Sequence, residues 1–170
     1  MNTLKIAGSA VALALLATSA QAGVKGVAIR EGNFSNDGTA PILVPIKPGT
    51  GTAATNLSVK ATKPTPVVIT YSAECAVVAL PADAPSTVVL RWMTVDILVD
   101  GVAISPTSGI GDAFCGATVS SPTLFEGYVR PSVSTTTVLS AGTHIIQVRA
   151  ALGNGGGGWW LGDSALVVNN

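Results

Sequence analysis

Val67-Val68-Ile69-Thr70-Tyr71-Ser72-Ala73-Glu74-Cys75-Ala76-Val77 is the stretch on which the fold turns. Val67, Ile69, Tyr71, Ala73, Cys75 and Val77 share one parity, while Thr70, Ser72 and Glu74 share the other. Period-two alternation of this kind belongs to a strand with one buried face. Pro66 opens it, as proline does where its missing N–H is not needed. Cys75 falls on the apolar parity and therefore points into a core.

Outward from this strand, the same grammar repeats. Asn56 to Thr62 alternates Leu57, Val59 and Ala61 with Ser58, Lys60 and Thr62, a second half-buried strand. Downstream, Thr87 to Trp92 and Thr94 to Val99 are strand material, and Asp100-Gly101 follows them. Asp-Gly between apolar alternations marks a type I′ hairpin, which sets Val99 opposite Val102 and Ile97 opposite Ile104, all on one face. Leu124 to Arg130 and Val133 to Leu139 are further strands, and Ser140-Ala141-Gly142-Thr143 is a turn. His144, Ile146, Val148, Ala150 and Leu152 then share one parity. Trp159 to Val168 is the last strand, broken at Gly162-Asp163. Toward the N-terminus, Val24 to Arg30 and Ile42 to Lys47 are strands on either side of a polar turn at Asn33 to Gly38. Pro41, Pro45 and Pro48 hold the second of these at a sheet edge or bulge. Thr50-Gly51-Thr52 reads as loop, and no amphipathic helix is visible.

Short strands at regular turn spacing predict an all-β, two-sheet sandwich. The order Cys75, Trp92, Cys115 offers an immunoglobulin-like alternative. Its cysteines stand too close together for that fold, and Ala113 occupies the place of the expected tyrosine. A jelly-roll-like arrangement is preferred.

Composition and the N-terminus bound the rest. Met1 to Lys5 carries one positive charge, Ile6 to Ala17 is uncharged and rich in Ala, Leu and Val, and Ala20-Gln21-Ala22 ends the segment. That is the layout of a secretory signal with an A-x-A cleavage site, so residues 1–22 are expected to be removed and 23–170 to form a single domain. No second hydrophobic span follows. The chain has nine Lys/Arg and nine Asp/Glu, with no basic stripe to hold phosphates, which argues against a nucleic-acid partner. Cys75 and Cys115 are the two cysteines. With no C-x-x-C pair and no adjacent base to activate a thiol, an exported chain joins them as a disulfide.

The segments Ile69 to Val77, Val95 to Gly101, Phe114-Cys115 and Ala141 to Ala150 resemble a group of small exported proteobacterial β-sandwich proteins of unassigned function. The likeness runs from about Pro66 to Val168. It implies export and the fold class, and it carries over no catalytic or binding residue.

Candidate chemistry is sparse. Gly162-Asp163-Ser164 has the form of the nucleophile block of GDS-type esterases, but it lies near the C-terminus of an all-β chain with no histidine after it. His144, the single histidine, reads as a rim residue bonding its own turn, because a zinc site needs further ligands. A calcium ion would have to draw on Asp96, Asp100, Asp112 and Asp163, of which Asp100 is already explained by its turn. Glu31, Glu74 and Glu126 are isolated in sequence. No cofactor or metal is implied. The remaining feature is the run Gly153 to Gly158 leading into Trp159 and Trp160. Consecutive residues of a strand face opposite ways, so one indole enters the core and the other meets solvent. The sequence therefore implies an extracytoplasmic, non-catalytic sandwich that acts through its surface, as an envelope, matrix or appendage component. The alternative is a carbohydrate-binding module using Trp159 or Trp160, so a protein or surface-glycan partner is implied in either case.

Overall fold

The computed structural model describes residues 23–37, 39–78, 89–105, 113–119, 127–129, 131–153 and 157–170. The segment 1–22 expected to be a secretory signal, the loops expected at Pro81–Ser86 and Ser108–Asp112, and the first residues of the strand expected from Leu124 lie outside them. In chain order the elements are β1 (Val24–Arg30), β2 (Phe34–Asn36), β3 (Ile42–Leu43), α1 (Gly51–Thr55), β4 (Leu57–Ala61), β5 (Thr65–Val78), β6 (Val89–Val99), β7 (Val102–Ala103), β8 (Cys115–Val119), β9 (Gly127–Val129), β10 (Ser132–Leu139), β11 (Gly142–Leu152) and β12 (Gly158–Asn169).

All pairings are antiparallel and form two sheets. The first runs β1-β12-β5-β10, with β2 also on β12 and β9 also on β5. The second runs β3-β11-β6-β7, with β4 also on β11 and β8 also on β6. Each short partner lies end to end with another against one long strand. β1 takes Ser164 to Asn169 of β12, for example, and β2 takes Trp159 to Leu161. Each sheet is thus four rows wide. Followed along the chain, the rows β1/β2, β5, β9/β10 and β12 belong to one sheet, and β3/β4, β6, β7/β8 and β11 to the other. This nested alternation, with first and last rows adjacent, is a jelly roll and not the immunoglobulin order.

The core lies between the sheets and follows the predicted parities. Ile69, Tyr71, Cys75 and Val77 of β5 are wholly buried, as are Ile146 and Val148 of β11. β4 alternates buried and exposed residues from end to end. The Asp-Gly hairpin forms in the expected register, Val99 opposite Val102, with φ of 52° at Asp100 and 82° at Gly101. Its apolar face is only partly used, however. β7 extends past the sandwich, leaving Val102 66% exposed.

Three local expectations change. The polar turn at Asn33 to Gly38 contains a strand, because Phe34, Ser35 and Asn36 pair with Leu161, Trp160 and Trp159. Hydrophobic pattern could not reveal a strand whose partner was the end of the chain. The strand expected over Ile42 to Lys47 stops at Leu43. Pro45 and Pro48 cannot donate to a ladder, although Val44 N–H still reaches the Val148 carbonyl at 2.9 Å. The stretch that begins in the loop expected at Thr50-Gly51-Thr52 forms one helical turn, Gly51–Thr55, that tucks Ala54 into the interior.

Cys75 and Cys115 are joined, with Cα atoms 6.4 Å apart. Cys75 belongs to β5 of one sheet and Cys115 to β8 of the other, so the disulfide staples the sheets across the core.

Candidate functional site

Trp159 and Trp160 take opposite faces of β12. Trp159 is 1% exposed and meets Phe34 edge to face, with ring centroids 5.8 Å apart. A ligand has no access to it, so Trp159 leaves the list of candidate contacts. Trp160 lies half-buried on the outer face, level with Ser35 on one side and Ala76 on the other.

What shapes this outer face is the break in β12. The register shifts between Leu161 and Ser164, and a bulge there bends the strand and re-aims its side chains. Gly162 shows why the break holds glycine. A Cβ at that position would stand 2.8 Å from the Trp160 ring and 2.8 Å from Glu74 Oε2. The missing side chain thus brings the Trp160 indole and the Glu74 carboxylate to a common point. Asp163, next along, accepts the Gly32 N–H at 2.8 Å through Oδ1, which ties the bulge to the loop after β1.

Beside this point the three strands enclose a cleft of about 330 Å³, lined by Ile29, Arg30 and Glu31, by Ser72, Ala73 and Glu74, and by Asp163, Ser164 and Ala165. Its size is at the small end of ligand sites. Arg30, though part of the lining, has its guanidinium engaged. Its Nη1 and Nη2 donate to the carbonyls of Gly32 and Asn33 at 2.6 and 2.7 Å, and the guanidinium lies 5.8 Å from the Phe34 centroid. Tyr71 belongs to the core and not to the cleft lining, and its hydroxyl is buried without a hydrogen bond of good geometry. Burial pushes the phenol up to about 12, against smaller opposing pulls from the nearby Ser164 hydroxyl and the Arg30 charge. The Gly162-Asp163-Ser164 block, discounted from sequence as an esterase nucleophile, takes part in the architecture of the cleft. Its residues serve as a bulge and a cleft wall, and the partners Ile29 to Glu31 come from the opposite end of the chain.

A second polar cluster joins two turns at the rim of the other sheet. His144 Nδ1 stands 2.7 Å from Asp100 Oδ2, and Nε2 stands 3.0 Å from the Ser140 carbonyl. Asp100 Oδ1 also accepts the Ile145 N–H at 2.8 Å. The expected bond from His144 to its own turn is present, while Asp100 as its second partner was not foreseen. With the Ser140 hydroxyl 3.4 Å from Nε2, the residue types match an acyl-transfer triad. The roles do not. Both ring nitrogens face acceptors, so the geometry suits a doubly donating imidazolium and not a base toward a hydroxyl.

The hydrogen bond to Asp100 raises the His144 pKa first, the Ser140 carbonyl second, and burial opposes both. Asp100 is lowered first by the Ile145 N–H and then by His144. A raised histidine stabilises fully below its ordinary value of 6.5 and loses that contribution as pH rises through the folded value. A lowered aspartate stabilises above its ordinary 3.8 and loses that contribution as pH falls through the folded value. We therefore expect the thermal midpoint to fall as pH is raised above about 6.5, and His144→Gln to flatten that alkaline slope. Equal slopes in the two proteins would show that the cluster does not titrate with folding.

The carboxylates considered for calcium are dispersed. Asp96 is buried and takes Arg149 Nε at 2.9 Å on the same oxygen as Nη2, Asp100 serves the turns, and Asp163 belongs to the cleft. Asp112 lies outside the described residues. Among the described residues no three His, Cys, Asp or Glu side chains converge as metal ligands, and no helix is long and apolar enough to cross a membrane.

Fold and connectivity define the class as a disulfide-stapled jelly-roll β-sandwich. No protein-family model and no curated protein matches the chain. Among solved structures it is similar to a family 35 carbohydrate-binding module from Clostridium thermocellum, at 16% identity over 82% of this chain and 96% of that one, with a TM-score of 0.28. It is also similar to the CBM22-1 xylan-binding domain of Xyn10C from Paenibacillus barcinonensis, at 9% identity over 86% and 94% of the two chains, with a TM-score of 0.27. At those TM-scores neither likeness carries an argument about site or ligand.

Proposed function

We propose that this chain is an extracytoplasmic binding module that holds a saccharide against Trp160 and in the cleft beside it. The observation that carries the proposal is the meeting of the Trp160 indole and the Glu74 carboxylate over Gly162, at the edge of a cleft walled by Ser72, Asp163 and Ser164. A sugar ring presents C–H groups on one face and hydroxyls around its rim. An indole face serves the first, and carboxylates and hydroxyls serve the second.

The broader reading, a surface component of an envelope, matrix or appendage, draws on exposed Val27, Ile29, Val68 and Val138 in the same sheet. Singly exposed aliphatic residues are ordinary on protein surfaces, whereas the indole and carboxylate at one glycine are specific. The cleft therefore favours the saccharide.

Depletion of the protein by insoluble polysaccharides, followed by calorimetry with soluble oligomers of any that retain it, tests the proposal. Trp160→Ala is expected to weaken binding by about 2 kcal/mol while leaving the melting temperature nearly unchanged. Retention by no polysaccharide, together with self-association of the free protein, would favour the structural component instead.

A further inference from the structure

We infer that the protein forms a symmetric dimer in which β10 of one copy pairs edge to edge with β10 of a second. The pairing stands independently of the saccharide reading, and only its consequence for binding rests on that reading.

Each sheet ends in two outer rows, and the chain guards them unequally. An open strand edge offers unpaired N–H and C=O groups to any other strand, and charges, prolines, bulges or short length keep such edges apart. The β1/β2 row carries Lys25 and Arg30, and its register shifts between Val24 and Gly26. In the β3/β4 row Pro41 and Pro45 flank Ile42–Leu43, and Lys60 is exposed. The β7/β8 row is split into strands of two and five residues. β10 has none of these devices. It runs Ser132-Val133-Ser134-Thr135-Thr136-Thr137-Val138-Leu139, eight residues with no charge and no proline, in unbroken register with β5. Among the described residues β5 is its only strand partner. Ser132, Ser134, Thr136 and Val138 are exposed on its outer face.

What this edge fits is itself. Antiparallel strands related by a twofold axis normal to the sheet keep outer residues beside outer residues, so the pairing centres on Thr135 or Thr136. Ser134 then meets Thr136 or Val138 of the other copy, hydroxyl and β-branched pairs that suit a sheet, and an uncharged strand opposes no like charges. A charged peptide would find no counter-charge along the same edge. Because the other outer rows are guarded, the self-paired edge closes the assembly as a dimer and does not propagate a filament. Eight residues a side make a small interface, so the dissociation constant is expected near about 10 μM.

The axis also fixes where the clefts go. It keeps both outer faces on one side, and Trp160 lies on that face of β12, two rows from β10. From strand spacing and rise, the two Trp160 clefts stand on the order of 50 Å apart. A polysaccharide surface that binds one cleft therefore receives the second at high effective concentration.

The test is sedimentation of the exported chain from ~1 to ~200 μM, a span chosen to bracket the expected constant. A monomer–dimer equilibrium is expected. Hydrogen exchange at the two ends of the series should show alternate amides of 132–139 becoming protected in the dimer, because alternate residues of an edge strand point their N–H groups outward. Thr136→Lys and Thr136→Glu place charge on the exposed face, where positions 136 of the two copies stand directly opposite or one diagonal apart. Each variant alone should be monomeric, and an equal mixture should recover the dimer. A monomer throughout, or a dimer that survives in both charged variants, would overturn the pairing. So would alternate amides already protected in the dilute monomer, which would mean that the chain covers its own edge. In both charged variants, retention on an insoluble polysaccharide should fall about tenfold or more with affinity for a soluble oligomer unchanged. Equal retention would overturn the bivalent role while the dimer stands. Retention of no form of the protein would remove the saccharide reading and leave the dimer in place.

Discussion

Trp159→Ala should lower stability by about 3–5 kcal/mol, the range for truncating a buried tryptophan. Trp159 is among the largest fully buried side chains of the core, and it holds two remote parts of the chain together. Its ring meets Phe34 of β2, and its backbone pairs with Asn36 on one side and Val77 on the other. Emptying the position therefore loosens the whole N-terminal row of the sheet. The indole Nε1 has no hydrogen-bond partner among the described residues, so Trp159→Phe should cost far less, because it keeps most of the apolar volume and removes an unpaired donor. Trp160→Ala on the next residue should leave the melting temperature almost unmoved. Denaturant melts of the three variants check the scheme, and comparable losses for Trp159→Ala and Trp160→Ala would show that the outer indole is architectural as well.

Much of this fold was legible because alternation is a local signal. The parities of β4, β5 and β11 could be read residue by residue, and the Asp100-Gly101 turn announced itself through a dipeptide that tolerates positive φ at both places, set between two apolar alternations. What failed was non-local. Phe34 to Asn36 looks like a turn until Trp159 to Leu161 is laid beside it, and no periodicity in three polar-flanked residues reveals a partner more than a hundred positions away. The helical turn at Gly51 to Thr55 is likewise too short to display a period.

The site was less legible than the fold, for the same reason. Alternation required Trp159 and Trp160 to diverge but did not say which of them entered the core. The register with β2 and β5 decides that. Glu31, Glu74 and Asp163 were each isolated in sequence, and they gather only because the first, fifth and last strands are neighbours. Gly162 carried the clearest available hint. A glycine breaking an otherwise apolar strand marks a bulge or a close approach, and here it marks both.

Cys75→Ser should lower stability by about 2–5 kcal/mol, the usual cost of losing a native disulfide in a small secreted domain. The bridge closes a loop with a sequence separation of 40, for which the chain-entropy account gives about 4 kcal/mol. Its position adds to the expectation. Cys75 is wholly buried and Cys115 nearly so; Cys75 stands on the interior strand β5 opposite Leu161, and Cys115 on β8 in the edge row of the other sheet opposite Met93. A serine hydroxyl left at either place would face Leu, Met and Val with no partner, a second penalty beyond the lost cross-link. Cys75→Ala/Cys115→Ala removes that second penalty and should therefore be the milder variant, with the difference between the two measuring the cost of the buried hydroxyl. Protein recovered from the periplasm or medium is expected to begin at Gly23 and to show no titratable thiol until it is unfolded and reduced; mass spectrometry of its N-terminus checks the first. Two free thiols in that material, or a double-alanine variant as stable as the parent, would show that the two sheets are held by their core alone.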